Sequence, residues 1–257
     1  METSLLLLET SQALLWSGFV VFLRVGAIMM VLPGFGEQSV PVRVKLGLGI
    51  AFTMIVVPAA PPTTLSDYTL PTIAWLGITE SIAGLALGIG IRMLVFALQT
   101  AGSMAAQATS LAQIFGGAGV EPLPAIGHTL MVSGLALAMM TGLHVRAAQL
   151  IILSYDLMPM GQLIDASSLS RWGITQVSQA FSLAFTLAAP FVVLSVLYNL
   201  TLGVINRAMP QLMVAFVGAP VITAGSLFML FLVSPLLLSI WIEALNGFLA
   251  NPLGPRP

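Results

Sequence analysis

Residues 212–250 read LMVAFVGAPVITAGSLFMLFLVSPLLLSIWIEALNGFLA, with a single charge, Glu243. As one straight helix at 1.5 Å per residue, this run would extend about 58 Å, almost twice the ~30 Å hydrocarbon core of a bilayer. It is too long for one simple crossing. The two internal prolines, Pro220 and Pro235, are where a break is expected, because proline lacks the amide donor and its ring clashes with the preceding turn.

The rest of the chain has the same character. Gln176 to Ile205 is a long apolar run around Pro190 and ends at Asn206-Arg207-Ala208-Met209-Pro210. Ala125 to Leu143 is apolar, and His144 and Arg146 open a more polar section that reaches Trp172. The region from Leu70 holds Glu80 and Arg92 and fades into a small-residue tract, Ala101 to Ser110. Leu46 to Ala60 is short for a full crossing and ends in prolines. Ser11 to Leu32 is interrupted only by Arg24 and is long enough to cross a bilayer. It stops at Pro33-Gly34-Phe35-Gly36, a turn by composition, before a polar stretch with Pro41, Arg43 and Lys45. About six hydrophobic segments result, several too short, too long or proline-interrupted to be plain spans. The predicted fold is an all-α membrane protein of Pro/Gly-broken helices and helical hairpins, with residues 1–257 forming a single integral membrane domain.

Composition points the same way. Charged residues are 7 % of the 257, against about 25 % in an ordinary soluble domain. Hydrophobic residues reach 58 %, and the mean hydropathy is +1.04. Such a chain cannot clothe a soluble surface. The absence of cysteine excludes disulfide frameworks, thiolate metal sites and thiol catalysis. A net charge of −1 without a basic cluster argues against nucleic acid as a partner. Met1 to Gln12 carries Glu2 and Glu9 but no Lys or Arg, unlike a secretory signal peptide. With six spans, Arg43, Lys45 and Arg207 would face one side and Arg146, Arg171 and Arg256 the other. This balance gives the positive-inside rule nothing to decide.

Arg24, Glu80, Arg92 and His128 lie in or near apolar runs. A charge at the bilayer centre costs about 2.5–3.5 kcal/mol on insertion scales, so each is expected to face protein or water. Such residues serve an ion or proton path, form a structural pair between helices, or never sit in lipid. Glu80 and Arg92 are 12 positions apart, roughly 120° around a helix and 18 Å along it, so each needs a partner from another segment or another chain. Gly84-x-x-x-Gly88, Ala97-x-x-x-Ala101 and Ala101-x-x-x-Ala105 form a small-residue ridge suited to close helix approach, within the chain or between subunits. Gln99, Gln107 and Gln113 lie along the same tract and can hydrogen-bond across such a contact. The Gly-rich segment Phe115 to Pro124 lacks the Gly-Lys-Ser/Thr ending of a phosphate loop and reads as a connector or a re-entrant, pore-blocking loop. Enzyme templates fail. His128 and His144 have no carboxylate at metal-ligand spacing, and no oxyanion motif accompanies His128 and Ser133. No catalysis, metal or cofactor is expected.

Three groups of residues together carry a family resemblance. They are Arg24 with Leu32-Pro33-Gly34-Phe35-Gly36 and Val40-Pro41-x-Arg43; Glu80, Gly84 and Gly88 with Gln99-x-Ala101-Gly102 and Gln107; and Leu202-Gly203 with Arg207-x-x-Pro210-Gln211-Leu212 and Gly218-x-Pro220. In order and spacing, over essentially the whole chain, they resemble the flagellar biosynthetic protein FliR family. The chain departs from that pattern at Met213, where the family often has Asn, and over Val221-Ile222-Thr223, where it often has a basic residue.

The resemblance implies a non-enzymatic component of the flagellar type III export gate in the bacterial inner membrane, within the flagellar basal body. It implies assembly with P and Q partners, and contact with the export-switch B protein, in a helical pore that passes unfolded export substrates. It further implies that Phe115, Gly116, Gly117, Ala118 and Gly119 plug the closed pore. Arg24, Glu80, Arg92, Gln99, Gln107, Arg207 and Gln211 are candidate subunit contacts or buried polar groups. Pro33, Gly34, Gly36, Pro41, Pro210, Gly218 and Pro220 are candidate structural turns. The alternative is a stand-alone polytopic secondary transporter whose proline-broken helices expose backbone to a solute. Assembly discriminates the two: a gate component needs partner subunits, whereas a transporter binds its solute alone.

Overall fold

The computed structural model describes residues 2–61, 69–109, 125–209 and 214–254. Among them there is no strand. The elements are α1 (Glu2–Val31), α2 (Val42–Val56) with a 3-10 turn at Val57–Ala59, α3 (Leu70–Thr109), α4 (Ala125–Met140), α5 (Leu143–Leu157), α6 (Ala166–Ala208) and α7 (Val214–Ala250). Among the described residues, five helical segments are long and apolar enough to cross a membrane, in α1, α2 with its 3-10 turn, α3, α6 and α7, and α4 with α5 passes the same test as a broken sixth. The all-α membrane architecture read from the sequence is the one observed.

The chain forms two compact units. The first contains residues 1–92, 139–176 and 246–257, and the second contains 93–138 and 177–245. In the first, Val21, Val25, Ile28 and Leu32, in and just after α1, are fully or almost fully buried, as are Leu87 and Ile91 of α3 and Leu150 and Ile151 of α5. In the second, Leu94 and Leu98 of α3, Phe191 of α6 and Trp241 of α7 are buried. Trp241 donates its indole N–H to the Leu94 carbonyl at 2.8 Å, so its large apolar ring is sealed in without an orphaned donor.

Turn chemistry explains the end of α1. Gly34 has φ of 82°, a left-handed conformation that glycine adopts without penalty. Gly36 is fixed by space: its N–H reaches the Leu32 carbonyl at 2.6 Å, and a Cβ there would lie 2.5 Å from the Met30 carbonyl oxygen. Pro41 then stands as the N-cap of α2 with φ of −58°. These candidate turn residues lie at the α1–α2 connection. Gly218 and Pro220 do not form a turn; both lie within α7.

Other expectations require correction. α7 continues through Pro220 and Pro235, and α6 through Pro190. A proline removes one intrahelical hydrogen bond, but neighbouring packing can hold the remaining turns in register, and membrane helices tolerate it on that account. The observed interruption lies at residues 141–142, where Gly142 takes φ of 84° as the N-cap of α5. The polar section from His144 to Trp172 also contains a helix, α5. Its buried positions Leu143, Ala147, Leu150, Ile151 and Ser154 recur at helical spacing.

Candidate functional site

Arg24 and Glu80 meet. Arg24 is 1 % exposed and Glu80 0 %, and Arg24 Nε donates to Glu80 Oε2 at 2.7 Å. The guanidinium then spreads across the end of α5. Its Nη1 donates to the Ser154 carbonyl and to Ser154 Oγ, each at 3.0 Å, and its Nη2 to the Met158 carbonyl at 2.9 Å. Its carbon lies 4.0 Å from the centre of the Tyr155 ring, within cation–π range. The second Glu80 oxygen accepts the Gly161 N–H at 2.9 Å.

Each part of this arrangement has a physical cause. A buried ion pair repays desolvation only when the remaining donors and acceptors are satisfied. Here, backbone groups near the C-terminus of α5 supply the acceptors. The Ser154 carbonyl also accepts the Met158 N–H at 2.8 Å, the Met158 carbonyl lies at the C-cap, and both stand at the negative end of the helix dipole. α5 has no basic residue in its last turn, and α1 provides the cation. Gly161, at φ of 73°, turns its amide to Glu80. The cluster ties α1, α3 and the segment after α5 together. Both Glu80 oxygens are thereby engaged.

Arg92 is placed differently. It lies 3.5 Å from Glu37 and donates to the Val31 carbonyl at 3.3 Å, with roughly a quarter of its side chain exposed. Thus Glu80 and Arg92, both on α3, take partners from elsewhere in the same chain. Gln99 donates to the Met131 sulfur at 2.8 Å, whereas Gln107 and Arg207 are exposed. The proposed plug residues Phe115 to Gly119, together with Pro210 and Gln211, lie outside the described residues.

The small-residue ridge is an internal packing surface along its described length. A Cβ on Gly84 would lie 2.5 Å from the Arg24 carbonyl oxygen and 2.8 Å from Ala27 Cβ, and one on Gly88 would lie 3.3 Å from the Ile28 carbonyl oxygen. Ala97, Ala101 and Ala105 are buried. Gly102 and Gly127 bring the backbones of α3 and α4 together so closely that no room remains for a methyl group at Gly102. Close backbone approach of this kind suits small-residue helix interfaces.

Sequence reasoning missed Ser154, Tyr155, Met158 and Gly161 as partners of the buried charges. Two of the contacts are backbone carbonyls and one is a backbone amide, groups that residue type does not advertise. Only the periodic burial pattern of α5 could have pointed there. Among the described residues, no group of three or more His, Cys, Asp or Glu side chains could hold a metal ion.

The chain matches the family described as bacterial export proteins, family 1, over residues 15–248. The flagellar biosynthetic protein FliR of Caulobacter vibrioides is 32 % identical over 204 residues, covering 78 % of this chain and 81 % of that protein. Its namesake from Escherichia coli is 28 % identical over 214 residues, 80 % of each chain. The Bacillus subtilis protein of the same name is 27 % identical over 247 residues, 90 % of this chain and 93 % of that one. The motifs that resembled this family are thus embedded in similarity along most of the chain, which belongs to family 1 of the bacterial export proteins, alongside the flagellar FliR proteins.

Proposed function

We propose that this chain is a non-enzymatic component of the flagellar type III protein export gate, in the bacterial inner membrane at the flagellar basal body. The observation that carries the reading is the family match over residues 15–248, with relatives that bear the name flagellar biosynthetic protein FliR. In this reading residues 1–257 act as one integral membrane domain. The chain assembles with P and Q subunits into a helical pore that passes unfolded substrates, and the export-switch B protein docks on the assembly.

Helix length supports the reading. α3, α6 and α7 have 40, 43 and 37 residues, or about 60, 65 and 55 Å as helices, against a ~30 Å hydrocarbon core. Lipid alone does not cover such lengths without extreme tilt, whereas neighbouring helices in an assembly do. Phe181, Phe185 and Leu200 of α6 and Phe228, Phe231 and Leu236 of α7 are all at least 60 % exposed. Contiguous apolar surface of this kind is what a partner or lipid covers. Arg24, Glu80, Arg92 and Gln99 serve as internal ties. Gln107, Arg207 and Gln211 are assigned to subunit contact, and Phe115 to Gly119 to the plug.

The test is native mass spectrometry of the detergent-extracted chain, co-expressed with the membrane proteins encoded beside it. A stable complex with two other hydrophobic subunits is expected. A monomer or homodimer in the presence of those subunits would overturn the gate assignment and favour a stand-alone transporter.

A further inference from the structure

We propose that the groove between α1, α2 and α3 in the first unit binds one anionic phospholipid, with an acyl chain along the groove and the phosphate at Lys45. The groove encloses about 520 Å³. Its walls are apolar, with Phe22 and Met30 from α1, Leu46 from α2 and Leu85 from α3; Lys45 and Ser81 are its polar side chains.

Depth and charge both select this occupant. The apolar segment of α1 ends at Val31 and that of α2 begins at Val42; where these segments cross a bilayer, Met30, Val42 and Lys45 fall where hydrocarbon gives way to headgroups. Phe22 lies nine positions before Val31, about 13 Å deeper along α1. The groove therefore runs from headgroup level into the apolar layer, with its only cation at the outer end. Lys45 Nζ donates to the Gly36 carbonyl at 3.0 Å, which fixes the ammonium and leaves two of its three donors for a phosphate. Arg43, two positions earlier, is exposed and makes no ion pair among the described residues. The nearby acid, Glu37, is already engaged by Arg92. Lys45 thus stands at this mouth, and an anion complements it. Basic side chains at a membrane surface favour anionic lipid in this way.

The inference concerns the membrane-embedded unit itself and does not depend on the export reading. Its test uses the full chain, purified in detergent with and without co-expressed subunits, and titrated with dioleoyl phosphatidylglycerol or dioleoyl phosphatidylcholine under native mass spectrometry. The wild type is expected to retain phosphatidylglycerol about fivefold or more over phosphatidylcholine. Lys45→Gln should bring that ratio close to one, and Lys45→Arg should preserve it. Gly26→Leu should abolish retention of both lipids by filling the groove, since a Cβ there meets only the Phe22 ring at 3.7 Å. If that variant fails to fold, Ser81→Phe fills the opposite wall. A photoreactive group at Leu46 should capture lipid. Equal retention of the two lipids by the wild type, an unchanged preference in Lys45→Gln, or capture of protein rather than lipid at Leu46 would overturn the proposal.

Discussion

Arg24 and Glu80 set the terms at the scale of single residues. Replacing one member of a buried pair leaves the other charge without compensation, at a cost of about 3–5 kcal/mol. Arg24→Met and Glu80→Leu are each expected to lower the melting temperature of the detergent-purified chain sharply and to reduce its steady-state level in membranes. The double variant Arg24→Met/Glu80→Leu should recover only part of that loss. It removes both charges but still strands the Met158 carbonyl and the Gly161 amide, which the pair had satisfied. Full recovery would mean that these backbone contacts contribute nothing. The two charges were legible in the sequence as intruders in apolar runs, and the need for partners followed from the cost of burying them. Their partners were not legible, because pairing between positions 56 apart depends on how three helices pack.

Helices respond to changes according to which face they bury. On α3, Gly77 has open space where a Cβ would stand, while a Cβ on Gly84 would press on the Arg24 carbonyl. Gly77→Ala should therefore be neutral or stabilising, through the gain in helix propensity. Gly84→Ala should destabilise by about 1–3 kcal/mol, the usual cost of overpacking. Thermal unfolding of both variants under one detergent condition checks the contrast. The sequence marked this stretch as a close-approach ridge, and the structure assigns it to α1 and, through Gly102, to α4.

The start of α6 is governed by Asp165, which accepts the Ser167 hydroxyl at 2.6 Å and the Ser168 N–H at 2.9 Å. The Ser167 hydroxyl, with the Ser168 amide second, holds the Asp165 carboxyl below the ordinary aspartate range. A lowered folded-state value means the cap is fully present above the unfolded-state value and is lost as pH falls through the folded one. Protection of the first-turn amides of α6, relative to their intrinsic exchange rates, should accordingly fall on acidification below about pH 4. Asp165→Ala should show the lower protection at neutral pH and lose this pH dependence. The prolines of α6 and α7 teach the opposite lesson about legibility. They were visible as breakers by residue type, yet the helices run through them. A local penalty does not decide helix continuity where apolar surroundings enforce backbone hydrogen bonding on both sides.

For the whole molecule, the exposed apolar faces of α6 and α7 make behaviour depend on company. Under the gate reading, the melting temperature in detergent should rise when the chain is purified with its partner subunits, because binding to the folded form alone stabilises it. Deleting residues 115–120 should leave that complex intact while making membranes leaky to small ions, measured as conductance in planar bilayers. Intact assembly with unchanged conductance would remove the plug role. Membrane class and family were readable from composition and spaced motifs, since both are written in residue type along the chain. The two-unit organisation was not, because α3, α6 and α7 each contribute residues to both units and no linker marks the boundary.

The buried guanidinium also has a history in time. Glu80 is made 56 residues after Arg24, and Met158, the last of its partners, is made 134 residues after it. At about 5–20 residues per second, the last partner emerges roughly 7 to 27 s after the arginine. Until Glu80 is made the first helix carries a cation without its counter-ion, and until the end of α5 follows the other guanidinium donors lack their acceptors. Biogenesis must therefore keep α1 at a wet or chaperoned site until α5 is synthesised, so that the order of manufacture, as much as the finished packing, decides whether the charge is ever buried.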